Sequence, residues 1–319
     1  MLSAALALVG ALVYGSADFL GGLAARRIRS IVVTAVAAAS GLVALAIAQP
    51  LVGGAWTSAD IVWGILAGLV GVVAVALLYA CLAIGPMSIL SPLTAVVSAI
   101  APMLWGLLVN GEALAPIGYA GLGIALVAVV LVGFIPGAKI VRPSARGLLM
   151  AVGAGLAIGA FLIVVDQTDD GSGLVPLVVS RGTSVVVTAA VVGVLVVAGM
   201  RRGRTAASVL EVSGPLLGAT PTGHADLEHA AAPASTLLRV TAPRAWWLAI
   251  ACGIADAAAN ALLLVALRAG DLSIVSALTA LYPAGTILLA ALVLRERVAA
   301  VQWIGLVLAL VAGGMLAVA

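Results

Sequence analysis

The chain has 319 residues, 64% of them hydrophobic and 8% charged, with a net charge of +3. Soluble domains are roughly half apolar and about a quarter charged, so this composition excludes a sizeable soluble domain and indicates an integral membrane protein. The excess positive charge lies in arginine clusters at segment ends, where it orients membrane helices, and the sequence holds no nucleic-acid signature.

Crossing about 30 Å of hydrocarbon at about 1.5 Å per residue takes about 20 apolar residues. Ten such runs are predicted, at 2–25, 31–48, 61–84, 87–109, 117–135, 148–165, 174–200, 246–267, 272–294 and 298–318. The first lacks the positive n-region of a signal peptide and continues past the usual apolar h-region, which predicts a retained helix. Cys81 and Cys252 fall inside apolar runs, where a thiol acts as a small hydrophobe and no disulfide framework is indicated. Gly64 and Gly68 have the spacing of a close helix seam. Trp56, Trp63, Trp246 and Trp247 fall at segment ends and suit an interfacial belt.

The connections are short except for 201–244, which is rich in Pro, Ser and Thr and too poor in apolar area for a core; it reads as a flexible cytoplasmic loop. Thirteen of the fifteen basic residues lie in loops one, five, seven and nine. Those loops are therefore expected on the cytoplasmic side, with both termini outside.

The segment starting "LAIGPMSILSPLTAVVS" at Leu82 aligns with "LRAGDLSIVSALTALYP" at Leu267. Gly85, Ser88, Ser91, Leu93 and Thr94 fall opposite Gly270, Ser273, Ser276, Leu278 and Thr279. After a one-residue slip Glu112 falls opposite Glu296. Five helices per copy is an odd number, so the second copy is inverted. The expected fold is thus all-α and membrane-integral, ten transmembrane helices in two inverted five-helix repeats, 1–135 and 136–319. Secondary transporters share this plan, with their site near the bilayer midplane between the halves.

Tyr14, Gly15, Ser16 and Phe19 in the first helix, with "GEAL" after helix four and "RERV" after helix nine, resemble the EamA-type transporters of the drug/metabolite transporter superfamily. The resemblance implies a ten-helix carrier of small metabolites or drugs, often directed outward. The family often places a proline one helix length before the glutamate. Pro283 matches it in the second half, whereas Ser98 holds the equivalent place in the first. Asp18 is outside the broad pattern.

A charge at a helix centre costs about 2.5–3.5 kcal/mol on insertion scales, so such residues usually face the bundle interior or a watery cavity. Asp18 lies about 12 Å above the cytoplasmic end, Asp256 about 15 Å and Asn260 about 20 Å up helix eight, and Arg181 about 20 Å above the inner surface. Depth therefore pairs Arg181 with Asp256, as a structural ion pair or as a substrate anchor. Asp18 has no counterpart in the second half, where Ala160 aligns with it. It reads either as snorkelling or hydrogen-bonded to a neighbouring helix, or as a carboxyl that takes a proton on one face and releases it on the other. Tyr14 and Tyr282, amphipathic rings at middling depth, are cavity-lining or packing residues. Asp166, Asp169 and Asp170 read as a solvated turn or as an acidic mouth that attracts cations, and Glu112 and Glu296 as helix-end caps or locks to nearby backbone, with gating the competing reading. "HADLEH" at 224–229 has metal-capable side chains, but its spacing fits no standard site.

There is no phosphate-cradling "GxxxxGK[ST]" to drive an ATP pump, no serine-triad or zinc-protease spacing, and no cofactor signature. The expected function is secondary active transport of a small-molecule substrate across the cell membrane by alternating access, as an exporter coupled to protons. The competing reading is a membrane enzyme acting on a lipid substrate through Asp18 or Asp256. The expected surroundings are the lipid bilayer, with no nucleic acid and no metal; the sequence defines no oligomeric state.

Overall fold

The computed structural model describes residues 1–25, 27–84, 87–133, 144–203, 205, 209–210, 242–293 and 299–319. Most of the predicted loop at 201–244, including the histidine pair, lies outside them, as does Glu296. The described residues form α1 (Leu2–Ala25), α2 (Ser30–Val52), α3 (Ser58–Ile84), α4 (Met87–Leu108), α5 (Pro116–Gly133), α6 (Ala145–Asp166) and α7 (Val175–Arg201). There follow α8 (Ala242–Arg268), α9 (Leu272–Thr279), α10 (Tyr282–Val293) and α11 (Ala300–Ala317), with no strand among the described residues. Nine stretches among them are long and apolar enough to cross a membrane, α9 and α10 counting together as one, and α4 supplies a tenth apolar helix. The chain is a multi-pass, all-helical membrane protein.

The predicted segments are met within a few residues, with one correction. Helix nine, expected to run unbroken over 272–294, is divided into α9 and α10 at Ala280 and Leu281. The cause is Pro283, which has no N–H to give the carbonyl of Thr279 four residues earlier. Ala280 N donates instead to Ser276 O at 3.0 Å, and Leu281 N to Leu278 O at 3.1 Å, tightening the end of α9.

Helix pairing follows a regular scheme. α1 runs antiparallel to α8, and α3 to α6; α2 runs parallel to α8, and α7 to α3; α1 runs parallel to α10, and α6 to α4. α5 packs on α11, α2 on α7 and α4 on α9. Without a hydrophobic force between helices in lipid, these seams depend on close van der Waals approach, which small residues permit. Gly64 and Gly68 meet Pro176, Val179, Ser180 and Thr183 of α7, as their spacing predicts.

A close seam joins α1 to α10. A Cβ added at Gly15 would lie 2.6 Å from Thr286 N and 2.7 Å from Gly285 Cα, both backbone atoms that cannot swing aside. Thr286 Oγ1 also donates to Gly15 O at 3.1 Å. Overpacking of a tight core costs about 1–3 kcal/mol, so Gly15→Val is expected to lower the thermal unfolding temperature of the detergent-purified protein by several degrees. Gly123→Val, where a Cβ meets nothing, should leave it unchanged.

Candidate functional site

A cavity of about 270 Å³ lies inside the bundle, between α1, α2, α3, α6, α7, α8 and the α9–α10 break. Its wall is largely Ala, Val, Ile and Leu, with Tyr14, Arg181, Asp256, Asn260, Thr279 and Tyr282 among its polar members. Five of the six residues singled out from the sequence thus meet in one cavity.

The charged pair is its chemical centre. Arg181 Nη2 of α7 donates to Asp256 Oδ2 of α8, with the Asp256 side chain 4% exposed and that of Arg181 17%. The depth argument anticipated this pairing. Two opposite charges at this depth cancel much of each other's desolvation cost, provided both stay in place. Asn260, one turn further along α8, donates its Nδ2 to Asp256 O at 2.8 Å, which orients its amide along the helix. Tyr14 and Tyr282 are both 6% exposed and line the cavity from α1 and from the start of α10.

Asp18 stands apart from the cavity wall. It is fully buried, one helical turn beyond Tyr14 on the same face of α1. Its neighbour Ala17 packs with Ala37 of α2 and Cys252 of α8.

At the end of the bundle opposite the arginine-rich loops, polar bonds join residues 55–112 to residues 166–273. Glu112, in the α4–α5 connection, accepts from Leu272 N at 2.8 Å through Oε1 and from Ser273 N at 3.0 Å through Oε2, capping α9. The capping predicted for Glu112 is therefore met, on the half it does not belong to. Asn110 Nδ2 donates to Asp166 Oδ2 at 3.2 Å, and Asp169 N donates to Asp60 Oδ1 at 3.0 Å. Ala55 N donates to Gly171 O at 2.9 Å. Arg268 ties the 3₁₀ turn at Asp170–Ser172 to α8, through 2.8 Å to Ser172 Oγ and 3.1 Å to Asp169 O. Asp169 itself caps that turn, accepting from Gly171 N at 2.7 Å. Sequence reasoning placed these acids in a turn; it had no means of finding Asp60 or Arg268 as their partners, because both are distant in the chain.

Thr279 is one of the polar cavity residues that sequence reasoning did not single out for the site. Its signal was nonetheless present, in the proline four positions later and in its alignment with Thr94. Among the described residues no cluster of His, Cys, Asp or Glu is arranged to hold a metal.

Together these features define a multi-pass membrane protein built around an interior cavity. Residues 231–317 match the EamA-like transporter family, consistent with an EamA-type drug/metabolite transporter and with the resemblance that "RERV" carries after helix nine. Members of that family are membrane transporters of small substrates rather than enzymes. No curated protein matches the chain in sequence. Among solved structures 29 chains match. One crystal structure superposes with a TM-score of 0.68 over 99% of this chain and 97% of its own, at 17% identity. That likeness speaks for the fold.

Proposed function

We propose that the protein is a secondary active transporter that exports a small metabolite or drug by alternating access, coupled to protons through Asp18. The observation that carries the reading is the Arg181–Asp256 pair, buried in a cavity inside a bundle whose one end is bridged by polar bonds. The helix pairs support two inverted repeats, 1–135 and 136–319. Exchanging each transmembrane segment with the one five places on converts α1·α8 into α6·α3, α2·α8 into α7·α3, and α4·α6 into the α9–α10 segment with α1, leaving α5·α11 as its own mate. Such a pair of halves can rock about a central site and expose it to either side in turn. Positive charge at the other end supports the bridged face lying outside. The cavity wall extends towards the cytoplasmic end through Ile31, Leu78 and Val191, which supports a state closed to the outside.

The candidate anchors are Arg181, Asp256 and Asn260, with Tyr14 and Tyr282 against the apolar part of the substrate. Asp18 is placed to sense the site without touching the cargo, since it is one turn from Tyr14. Proteoliposomes holding the full chain, offered a panel of metabolites and drugs with and without an imposed pH gradient, test this. Uptake of a panel member should rise several-fold with the gradient, and Asp18→Asn should remove that dependence. Gradient-independent uptake by the unaltered protein would overturn the coupling, and uptake of nothing would overturn the transporter reading.

A further inference from the structure

We propose that Thr279 is a substrate-contacting residue, its hydroxyl and backbone carbonyl at the break in helix nine forming an acceptor subsite for an N–H-bearing group of the substrate. The inference rests on the transporter reading above and adds a chemical preference to it. Thr279 lines the cavity and is 8% exposed, yet its Oγ1 has no hydrogen-bond partner among the described residues. A buried hydroxyl left unpaired costs about 1–3 kcal/mol, a cost relieved when a ligand fills the cavity.

The backbone adds a second acceptor. Pro283 occupies the position whose amide would normally bond the Thr279 carbonyl, and the amides of Ala280 and Leu281 go to Ser276 O and Leu278 O. That carbonyl ends α9, where the helix dipole is negative. In broken membrane helices such C-terminal ends and unwound carbonyls coordinate cations.

The other half supplies the control. Thr94, the repeat partner of Thr279, is fully buried and spends its hydroxyl on Leu90 O at 3.0 Å and Ala151 O at 3.1 Å. Ser98 stands where Pro283 would, its hydroxyl bonded to Ala95 O at 2.8 Å, and α4 is unbroken. One residue type thus holds two helices together in the first half and faces the cavity without a bond in the second. A carbonyl can only accept, and the helix end is negative, so the complementary group is an ammonium or another N–H donor.

The test uses full-length protein in proteoliposomes with two probes of equal charge, phenethylamine and its N,N,N-trimethyl analogue, which has no N–H. The unaltered protein should favour phenethylamine. Thr279→Val should raise the KM for phenethylamine about tenfold with little change in maximal rate, leave the trimethyl analogue unaffected and keep the unfolding temperature. Thr279→Ser, which restores a hydroxyl, should restore the KM. Equal loss for both probes, or an unchanged ratio between them, would overturn the subsite. Uptake of other panel members but of neither amine would overturn the subsite while leaving the transporter reading intact. Uptake of no compound at all would remove that reading as well.

Discussion

Replacing Asp256 by asparagine should reduce uptake to background while the protein still folds. Asparagine is nearly the same shape and keeps an oxygen towards the Arg181 guanidinium, so one hydrogen bond survives. The compensating charge does not. Removing one partner of a buried pair outright costs about 3–5 kcal/mol, because the other charge is left alone in a poor solvent. The retained bond should hold the loss for Asp256→Asn to about 1–3 kcal/mol. The decisive comparison is the double variant Arg181→Met with Asp256→Leu. Buried ion pairs exchanged for apolar side chains of similar volume are often neutral or stabilising, so this variant should regain or exceed the original unfolding temperature. If the pair anchors substrate, the double variant is stable and inactive. If the pair only holds α7 to α8, the double variant is stable and transports. Uptake and thermal unfolding measured on the same three preparations therefore separate the two roles.

Much of this arrangement is legible in the sequence because the membrane enforces it. Backbone polar groups in hydrocarbon must be satisfied within the segment, so an apolar run of sufficient length has little choice but helix, and the ten predicted segments coincide closely with those observed. The Arg181–Asp256 pairing was readable for the same reason: charges are rare at that depth, and rise per residue converts sequence position into height. Depth alone does not put a residue on the cavity wall. Asp18 satisfied the same depth criterion and lies one turn beyond Tyr14 on the same face of α1, yet of the two only Tyr14 lines the cavity. The break in helix nine was readable as Pro283 but not as an event. Proline interrupts some membrane helices and is absorbed by others, as Pro102 is within α4. The bonds of Asp60, Arg268 and Glu112 join residues roughly 100 or more positions apart, and no local pattern encodes such partners.

Glu112→Ala should open the face that these polar bonds bridge. Its carboxylate holds two amides of α9, and hydrogen bonds to a charged group contribute about 1.5–3 kcal/mol each before water replaces them. The negative charge also suits the positive end of the α9 dipole. Because Glu112 is half-buried, water will recover part of this, leaving a net loss of about 1.5–3 kcal/mol. At 1.4 kcal/mol per decade that is a shift of roughly 10- to 100-fold towards the state open at this face. The readout is Ser276→Cys, buried on the cavity side of α9, in protein whose Cys81 and Cys252 are replaced by alanine. A membrane-impermeant maleimide added from the face opposite the arginine-rich loops should label it at least tenfold faster when Glu112→Ala is present. Glu112→Gln, which keeps one acceptor and loses the charge, should fall between. Gly106 allows an independent approach without altering any charge: a Cβ there would sit 2.8 Å from the Glu112 Oε1. Gly106→Ala therefore displaces the carboxylate from its two amides and should accelerate labelling in the same direction by less, since the side chain can partly swing aside. Equal labelling rates in all four proteins would show that α9 is held by its packing on α4 and α1 rather than by the Glu112 cap.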